Sequence, residues 1–557
     1  MTTLASPAPQ PGTGEPVLVI GAGPVGQTAA LLLARWGLPV LVLDAHAHRD
    51  PVGSKALVQQ RDVLDIWCAA GVGQQVAEEG LTWKRGRTLY RDQELFLTEW
   101  VDRGASPLPA FVNISQARTE ELMDEGMDAS PLIETRWDHE VVGLEQDDTG
   151  VTLTCRTAGG EVKVRGTHVV ACAGARGDAL RSLLGLTFDG LSFADPFLIC
   201  DIRTNLGEWS HERRFYFDPE WNPGRQVLVH PCPGSVYRID WQVPPGYDLE
   251  AEVASGALDD RIRQIIGEAD YEIIWKSVYR FHARAVSRMR VGRVLVAGDV
   301  AHIVSPFGAR GLNSGVQDAD NAAWKIAYVR LGWGDEDALL ESYHTERLAA
   351  AHENIDVSTR TMDFLVPRDA AAWEHRRQVL ERAVTDSSVH PQVDSGRLAE
   401  PYWYPDSPLV TPDPTRSTPG RPPKGEYPVP APGAIVPDFP VTVPGRPEVT
   451  RFRQLAREGL LAVVTSADDA EVGVDAVGRA VVGLGGGVQV LALDSVDPDA
   501  TGRTALGARP GEVWLVRPDA HVAAVVSSTS ALVTAIERTL GLKSSNQSLG
   551  LTSQAAS

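Results

Sequence analysis

A strand–glycine–helix–strand pattern near the start of the chain constrains its fold more than any other feature. Val17–Ile20 is a short apolar run, GAGPVG follows at residues 21–26, and an apolar pattern of helical spacing continues to Trp36. A second apolar run at residues 39–43 ends at Asp44. GxGxxG between a strand and a helix, with an acid after the next strand, is the dinucleotide-binding βαβ fingerprint.

Each residue type in this fingerprint has its own physical role. Gly21 permits the tight turn, Gly23 lets a pyrophosphate approach the backbone, and Gly26 allows the helix to pack closely on the strand. Asp44 lies 18 residues after Gly26, where its carboxylate can accept a hydrogen bond from a ribose hydroxyl and repels a 2′-phosphate. The pattern predicts FAD or NAD rather than NADP and does not decide between the first two.

A second stretch, residues 293–325, also predicts a ligand-facing loop. Residues 294–297 form an apolar strand that leads to Gly298 and Asp299, a Gly- and Pro-rich loop follows, and an apolar stripe of helical spacing begins at Val316. A helix N-terminus with free backbone N–H groups can face ligand oxygens, and Asp299 can accept from a polyol hydroxyl. A second such loop this far along the chain favours an extended cofactor with a ribityl chain, FAD.

Composition limits the partners and the cellular compartment. The net charge of −21 argues against nucleic acid or an anionic membrane as the main partner. Five cysteines carry no CxxC pair and no metal-ligand spacing, which predicts a reducing cytoplasm and no structural metal. The first sixteen residues have no signal-peptide pattern, and no apolar run approaches the length of a membrane span.

Changes in composition and in the predicted helix and strand pattern along the 557 residues predict an α/β protein with an α+β substrate domain. The expected segments are a disordered tail (1–16), the first part of a Rossmann-like FAD domain (17–190), an antiparallel substrate-binding sheet (191–290), the second part of the FAD domain with helices (291–400), a Pro/Gly-rich linker across the surface (401–447), a compact C-terminal α/β domain (448–542) and a second disordered tail (543–557).

Several motifs together resemble one family, the class A flavoprotein monooxygenases related to para-hydroxybenzoate hydroxylase. They are GAGPVG at 21–26, ACAGAR at 171–176 and GDVAHIVSPFGARGLNSGVQDA at 298–319, with SKAL at 54–57, PAFVNISQ at 109–116 and FDPEWNPGR at 217–225. The 3-(3-hydroxyphenyl)propionate hydroxylases and the antibiotic-tailoring phenol hydroxylases look most similar. The C-terminal segment looks like that group's thioredoxin-like domain, but without CxxC it is expected to have a structural or interface role.

The resemblance implies a set of FAD contacts at matching positions. They are Gly21, Gly23, Pro24, Val25 and Gly26 at the pyrophosphate, Asp44 at the adenosine ribose, Lys55 where the family usually has Arg, Gln116 on the flavin side, Val141 at the adenine, Asp299 at the ribityl chain, Pro306 against the ring, and Gly311, Leu312 and Asn313 at its pyrimidine edge.

The resemblance also implies a reaction: hydroxylation of an electron-rich aromatic, a phenol or hydroxypyridine, with NAD(P)H and O2 through a flavin C4a-hydroperoxide. Tyr216, His230 and Arg238 are the candidate substrate-pocket residues. The family's middle motif usually has Asp where this chain has Ala173, and Asp178 is the nearest substitute.

That departure leaves two alternatives open. One is another flavoprotein reaction, such as epoxidation or Baeyer–Villiger-type oxygenation, and the other is an FAD protein that shelters an intermediate without hydroxylating it. The sequence also leaves open the substrate, the choice between NADH and NADPH, and whether the protein is a homo-oligomer.

Overall fold

The computed structural model describes residues 14–49, 56–100, 102, 106–393, 401–416, 429–484 and 487–543. Lys55 and nearly all of the two predicted tails lie outside these residues.

The strands of the described residues are, in chain order, β1 (Val17–Ile20), β2 (Val40–Leu43), β3 (Val58–Gln60), β4 (Arg85–Tyr90), β5 (Gln93–Glu99), β6 (Phe111–Asn113), β7 (Ile133–Arg136), β8 (Glu140–Gln146), β9 (Val151–Thr157), β10 (Gly160–Gly166), β11 (Val169–Ala171), β12 (Phe188–Thr204), β13 (Glu212–Phe217), β14 (Gln226–Cys232), β15 (Val236–Gln242), β16 (Tyr271–Val286), β17 (Arg290–Val291), β18 (Val294–Val296), β19 (His302–Ile303), β20 (Leu461–Val464), β21 (Gln489–Ala492), β22 (Val513–Val516) and β23 (Val522–Val526).

The helices are α1 (Pro24–Arg35), α2 (Arg61–Ala69), α3 (Gly73–Glu79), α4 (Gln116–Asp128), α5 (Asp178–Leu183), α6 (Leu249–Ser255), α7 (Ala257–Ile266), α8 (Gly311–Arg330), α9 (Glu336–Leu365), α10 (Ala370–Ala383), α11 (His390–Val393), α12 (Phe452–Ala456), α13 (Val474–Val481), α14 (Thr501–Leu506) and α15 (Thr529–Thr539), with 3₁₀ turns at Gly207–His211, Pro233–Ser235, Gly298–Val300, Ser387–Val389 and Leu493–Ser495.

The first sheet is the Rossmann-like sheet that the βαβ pattern predicts. Its six strands run in the order β17-β18-β11-β1-β2-β7, and β7, β2, β1, β11 and β18 are parallel neighbours. All four residues of β1 and of β2 are buried, as expected for strands covered on both faces. Helices α1 and α8 pack on each other beside this sheet. The predicted strand Val17–Ile20 is confirmed residue for residue.

The second sheet has eight strands in the order β19-β16-β12-β15-β14-β13-β4-β5. Its β12, β16, β15, β14 and β13 are antiparallel neighbours, as expected for residues 191–290, and β4 and β5, from earlier in the chain, extend the sheet. Its role in binding substrate stays a prediction. Because side chains alternate along a strand, the sheet has two faces. The back face packs on α7 and contains Leu198, Tyr216, Val227, Ile239 and Trp241. The front face packs on α9 and α10 and contains Phe197, Phe215, Phe217 and Leu228.

The C-terminal domain is built on a four-stranded sheet in the order β21-β20-β22-β23. β20 and β21 are parallel, whereas β22 is antiparallel to both β20 and β23. Buried apolar positions in α13 and α15, among them Val477 and Ile536, pack against this sheet. The likeness to a thioredoxin domain stays a prediction.

The stretch predicted to be a surface linker is packed inside the protein instead. Residues 401–416 and 429–447 contain no helix and only isolated bridges, but Tyr404, Leu409, Val436 and Phe439 are all buried. Phe439 stacks on Phe452 at 4.6 Å. Apolar and aromatic residues at intervals in this Pro-rich stretch anchor it between the two domains, which corrects the expectation.

Two buried clusters of ion pairs join the C-terminal domain to the FAD domain. In the first, Asp65 of α2 accepts from Arg451 at 2.8 Å and from Arg457 at 2.7 Å, and Arg457 also pairs with Asp320 of α8 at 2.8 Å. All four residues are less than 9% exposed. The C-terminal domain contributes the cations here and the FAD domain the anions.

The second cluster centres on Glu346 of α9. Its carboxylate accepts from both terminal nitrogens of Arg517, at 2.6 and 2.9 Å, and from Lys325 Nζ of α8 at 2.7 Å. Asn321 and Ser407 also donate to it, at 2.8 and 2.6 Å. Every lone-pair direction of the buried Glu346 is thereby matched, as a buried charge requires.

Candidate cofactor and substrate site

The glycine-rich loop after β1 is shaped as the fingerprint predicts. Gly21 has φ +99°, and a Cβ there would lie 2.4 Å from the Cys172 carbonyl oxygen. A Cβ on Gly26 would lie 1.9 Å from the Gly21 carbonyl oxygen, so only glycine lets α1 approach this closely. Gly23 differs, because a Cβ there would meet nothing within 4 Å. Gly23 caps α1 without a side-chain hydrogen bond, and Pro24 is the first helical residue.

Asp44 lies at the end of β2, beside this loop. Its Oδ2 accepts a hydrogen bond from the Ala22 N–H at 2.7 Å, and its Oδ1 accepts from the His46 N–H at 2.9 Å. The carboxylate therefore braces the turn that carries Gly23, and its position next to that turn is the one expected for a ribose contact.

Val25 brings the two predicted loops together. A Cβ on Gly298, where φ is +71°, would lie 3.1 Å from Val25 Cγ2, and one on Gly315 would lie 2.6 Å from the same atom. Asp299 is half-buried in the 3₁₀ turn Gly298–Val300 that follows. Two stretches separated by over 270 residues thus form one continuous surface.

Asp318 of α8 holds the turn that carries Asp299. Its Oδ2 accepts from the Gly298 N–H at 2.9 Å and lies 2.7 Å from His302 Nε2, while its Oδ1 accepts from Arg347 Nε at 2.6 Å. Burial opposes the charged form of Asp318, but His302 and Arg347 outweigh it and lower the pKa of this carboxyl. Arg347 also donates to the Tyr404 hydroxyl at 2.9 Å, which links the turn to the stretch before the C-terminal domain. Sequence reasoning missed Asp318, although it stands within the quoted motif at 298–319.

The start of α8 presents backbone N–H groups next to this turn. Gly311 and Leu312 are half-buried in its first turn, and no side chain caps the helix. The Asn313 side chain is fully engaged: its Nδ2 donates to the Val58 carbonyl at 2.8 Å, and its Oδ1 accepts from the Gln60 N–H at 3.0 Å. Asn313 therefore fixes β3 against the helix start, and only its backbone remains for the predicted flavin contact.

The other two predicted cofactor contacts, Gln116 and Val141, lie outside the two glycine-rich segments. Gln116 begins α4, where its side chain accepts from the Ala56 N–H at 3.1 Å and donates to Glu120 at 2.8 Å. Val141 is a half-buried residue of β8. Their proposed roles at the flavin and adenine stay predictions.

The altered middle motif lies against the glycine loop. The Cα of Ala173 is 3.4 Å from where a Cβ of Gly21 would be. Asp178, the suggested substitute, is 88% exposed and pairs with Arg181 at 2.6 Å. Arg181 is buried and donates to the Val300 carbonyl at 3.1 Å, beside Asp299. Arg181 ties the middle motif to the 298–300 turn, whereas Asp178 points to solvent.

The front face of the eight-stranded sheet meets the segment after Asp299. Phe307 contacts Phe197 and Phe281, with ring centroids 5.9 and 6.3 Å apart, and Phe197 stacks on Phe281 at 4.6 Å. Pro306, the residue expected against the flavin ring, is exposed next to these rings. Phe197 and Phe307 are themselves buried, so these rings form an aromatic layer beneath the exposed Pro306.

Of the three substrate-pocket candidates, Tyr216 lies on the opposite face of the sheet from His230 and Arg238. It pairs with Val227 on the back face and packs against Trp221, with ring centroids 5.5 Å apart. Side chains alternate along β13, so Phe215 and Phe217 face the front and Tyr216 faces α7. Tyr216 is thus directed away from the Pro306 segment, and its expected role is corrected.

His230 and Arg238 do share the front face, as directly opposed residues of β14 and β15. Arg238 is 3% exposed and forms a bidentate ion pair with Asp201, to which it donates two hydrogen bonds of 2.7 and 2.8 Å. Arg238 is therefore a buried residue of an ion pair. Arg238 is engaged by its directly opposed neighbour on β12, which strand periodicity alone could not identify.

The residues of the 21–26 and 298–313 segments fit FAD. Open space lies over Gly23, Gly174 and Gly311, where a Cβ would meet nothing within 4 Å, and the two helices that start there have no side-chain cap. An anionic, extended ligand is suited to such backbone N–H groups. Among the described residues no group of His, Cys, Asp and Glu could hold a metal ion.

Fold and site together define a dinucleotide-binding flavoprotein with a sheet domain over the cofactor. Residues 15–358 match the family model described as FAD binding domain, and residues 429–542 match that described as aromatic-ring hydroxylase, C-terminal. The chain belongs to this FAD-binding family, and it binds FAD.

Two 3-(3-hydroxy-phenyl)propionate/3-hydroxycinnamic acid hydroxylases are among its relatives. The protein of Comamonas testosteroni is 30% identical over 370 residues, which cover 65% of this chain and 61% of the relative, less than two thirds of its length. The protein of Klebsiella pneumoniae subsp. pneumoniae is 30% identical over 387 residues, which cover 67% of this chain and 68% of the relative.

Solved structures share the fold over nearly the whole chain. The flavin-dependent monooxygenase PieE, in complex with FAD and substrate, gives a TM-score of 0.82 at 23% identity, covering 95% of this chain and 99% of PieE. Aklavinone-11 hydroxylase, with FAD and aklavinone, gives 0.75 at 20% identity, covering 95% and 99%. None of the described helices is long and apolar enough to cross a membrane.

Proposed function

We propose that the protein is an FAD- and NAD(P)H-dependent monooxygenase that hydroxylates an electron-rich aromatic, a phenol or a hydroxypyridine. The observation that carries this proposal is the aromatic front face of the sheet at the Pro306 segment, where Phe307 packs on Phe197 and Phe281. When bound, FAD supplies the redox chemistry that passes electrons from NAD(P)H to O2. The names of the two relatives, both hydroxylases of aromatic acids, support the same reaction class.

In this proposal the protein groups position the two ligands and exclude water. Asp44 and the backbone of the 21–26 loop orient the adenosine and pyrophosphate half, and Asp299 with the start of α8 orients the flavin half. Phe197, Phe281 and Phe307 then form the apolar layer that supports Pro306, against which the substrate ring lies.

The test is substrate-stimulated oxidation of NAD(P)H by the purified FAD protein across a panel of phenols and hydroxypyridines. We expect one or more panel members to accelerate the oxidation and to gain one oxygen atom, which oxygen-18 gas traces to O2. FAD binding without stimulation by any panel member would refute the proposal. An epoxide or ring-expanded product would instead assign another reaction class.

We also propose a cytoplasmic location. All five cysteines are free thiols and four of them are buried, as in proteins of reducing compartments.

A further inference from the structure

A histidine and a carboxylate on the front face have buried atoms that no protein group satisfies. His230 Nδ1 and Asp240 Oδ1 are buried and have no hydrogen-bond partner among the described residues. His230 Nε2 lies 3.7 Å from Asp240 Oδ2, too far for a good hydrogen bond. Leaving buried polar atoms unpaired is costly, and native structures do so rarely. The two neighbouring atoms therefore offer free hydrogen-bonding positions to a ligand on this face.

The neighbouring ion pair of Arg238 with Asp201 differs from His230 and Asp240, because its hydrogen bonds are made within the protein. Arg238 and Asp201, on the same face, satisfy each other through two hydrogen bonds. This ion pair needs no ligand to be stable in the folded protein, so we assign it a structural role. Asp240 stands directly opposite Leu228 and Ile199 in the sheet, beside this pair but not closed by it.

The two unsatisfied residues lie between the points where the sheet meets the cofactor segments. At one end, Phe197 contacts Phe307 and is paired with Gln242, two residues along β15 from Asp240. At the other end, Asn113 Nδ2 donates to the carbonyl of Pro231, the residue after His230, at 2.8 Å. Asn113 is paired with Val58, whose carbonyl accepts from Asn313 of α8.

We propose that Asp240, with His230 beside it, is the catalytic group that accepts the hydroxyl proton of the aromatic substrate. The substrate O–H bond breaks, an O–H bond forms on Asp240 Oδ1, and the electron pair stays on the substrate oxygen and enriches the ring. The inference rests on the proposed hydroxylation and deepens it: the substrate is an aromatic that carries a hydroxyl donor.

The electrostatics of the site are compatible with this role. Burial raises the pKa of Asp240 to about 7, against the lowering effect of Arg238. Burial also lowers the pKa of His230 well below its usual range, so the imidazole is neutral. The charged groups that face Asp240 are Arg238 on its own strand, Asp201 on β12 and Arg213 on β13. A proton acceptor that titrates near neutrality is well matched to general-base work.

The first experiment needs no turnover. Oxidised FAD protein is titrated with 2-naphthol and with its methyl ether, 2-methoxynaphthalene, and binding is followed by the change in flavin absorbance. We expect 2-naphthol to bind about 10- to 100-fold more tightly, the range for a hydrogen bond to a charged acceptor. Asp240→Leu should abolish the difference, and Asp259→Asn, on α7 behind the sheet, should keep it.

Equal affinity for the two probes in the wild-type protein, or binding of neither, would overturn the inference. A difference that survives in Asp240→Leu would also overturn it. The flavin spectrum and the FAD content of each variant verify that it is folded, and His230→Gln offers a second variant, for which a reduced difference is expected.

The second experiment uses a substrate found in the phenol panel. Asp240→Asn keeps an oxygen acceptor but cannot take the proton, so we expect KM to change less than about threefold and kcat to fall about 10²- to 10⁴-fold. Wild-type kcat should rise as the pH rises through about 7, since the base must be deprotonated, and the variant should lose this rise.

Unchanged kcat and an unchanged pH profile in Asp240→Asn would contradict the inference. If no phenol stimulates NAD(P)H oxidation, the proposed function fails, while the naphthol titration still judges the binding site on its own.

Discussion

Replacing Glu346 by Gln removes one negative charge from a buried cluster and keeps the shape of the side chain. Glu346 receives hydrogen bonds from Arg517 at 2.6 and 2.9 Å and from Lys325 at 2.7 Å, and its side chain is 1% exposed. The Gln amide nitrogen can accept none of these bonds, so at least one buried cation loses its partner. Breaking a buried ion pair from one side costs about 3–5 kcal/mol.

Urea unfolding followed by circular dichroism measures this loss, with Glu272→Gln as the matched control. Glu272 pairs with Arg203 at 2.7 Å, but the two side chains are 65% and 54% exposed, and such pairs contribute at most about 1 kcal/mol. We expect a clear fall in the urea midpoint for Glu346→Gln and almost none for Glu272→Gln. Equal midpoints for the two variants would refute the reasoning that the C-terminal domain is held by buried charge.

The same cluster gives a pH dependence. Burial opposes the charged form of Glu346, but Arg517 and Lys325 outweigh it and hold the pKa of this carboxyl well below its usual value of 4.5. A depressed pKa in the folded state stabilises the protein fully above the unfolded pKa and loses this effect as the pH falls. The gap in urea midpoint between wild type and Glu346→Gln should therefore narrow as the pH falls below about 4.5.

Two further predictions concern the cofactor loop and the sheet. Gly26→Ala should prevent folding of the FAD domain because its Cβ would lie 1.9 Å from a carbonyl oxygen. Gly23→Ala should fold, because its Cβ would meet nothing within 4 Å, but it should bind FAD more weakly. Circular dichroism measures the folding and titration measures the FAD affinity, and a normal affinity in Gly23→Ala would be evidence against a pyrophosphate at Gly23. Tyr216→Phe should leave kcat and KM for substrate and NAD(P)H unchanged because the hydroxyl faces α7; a large loss of kcat would place Tyr216 at the substrate after all.

The FAD-binding loops could be predicted from the sequence because the residues that define them are close together in the chain. The turn at Gly21, the close packing at Gly26 and the acid after β2 are each required by chain geometry within about 30 residues. The 298–313 segment could be recognised for the same reason. Its junction with the first loop through Val25 is a tertiary contact, which the sequence indicated only through the expectation that both loops hold one extended cofactor.

The substrate half could not be read in the same way. A period of two places Tyr237 and Arg238 on opposite faces of β15, but it does not say which face of the sheet is covered. That depends on the helices that cover each face: α7 packs on the back face, whereas α9 and α10 pack on the front. The packed stretch at 401–416 was missed because Pro and Gly dominate its composition, while a few buried side chains such as Tyr404 determine where it lies.

The distribution of charge between the two domains has a consequence for how the chain matures. During synthesis the anions Asp65 and Glu346 leave the ribosome long before their partners Arg451 and Arg517, which follow 386 and 171 residues later. Until those arginines arrive, Asp65 lacks both of its cationic partners, and Glu346 has only Lys325 of α8 as a cationic partner. The contacts that hold the C-terminal domain against α2 and α9 can therefore form only after residue 517 has been made.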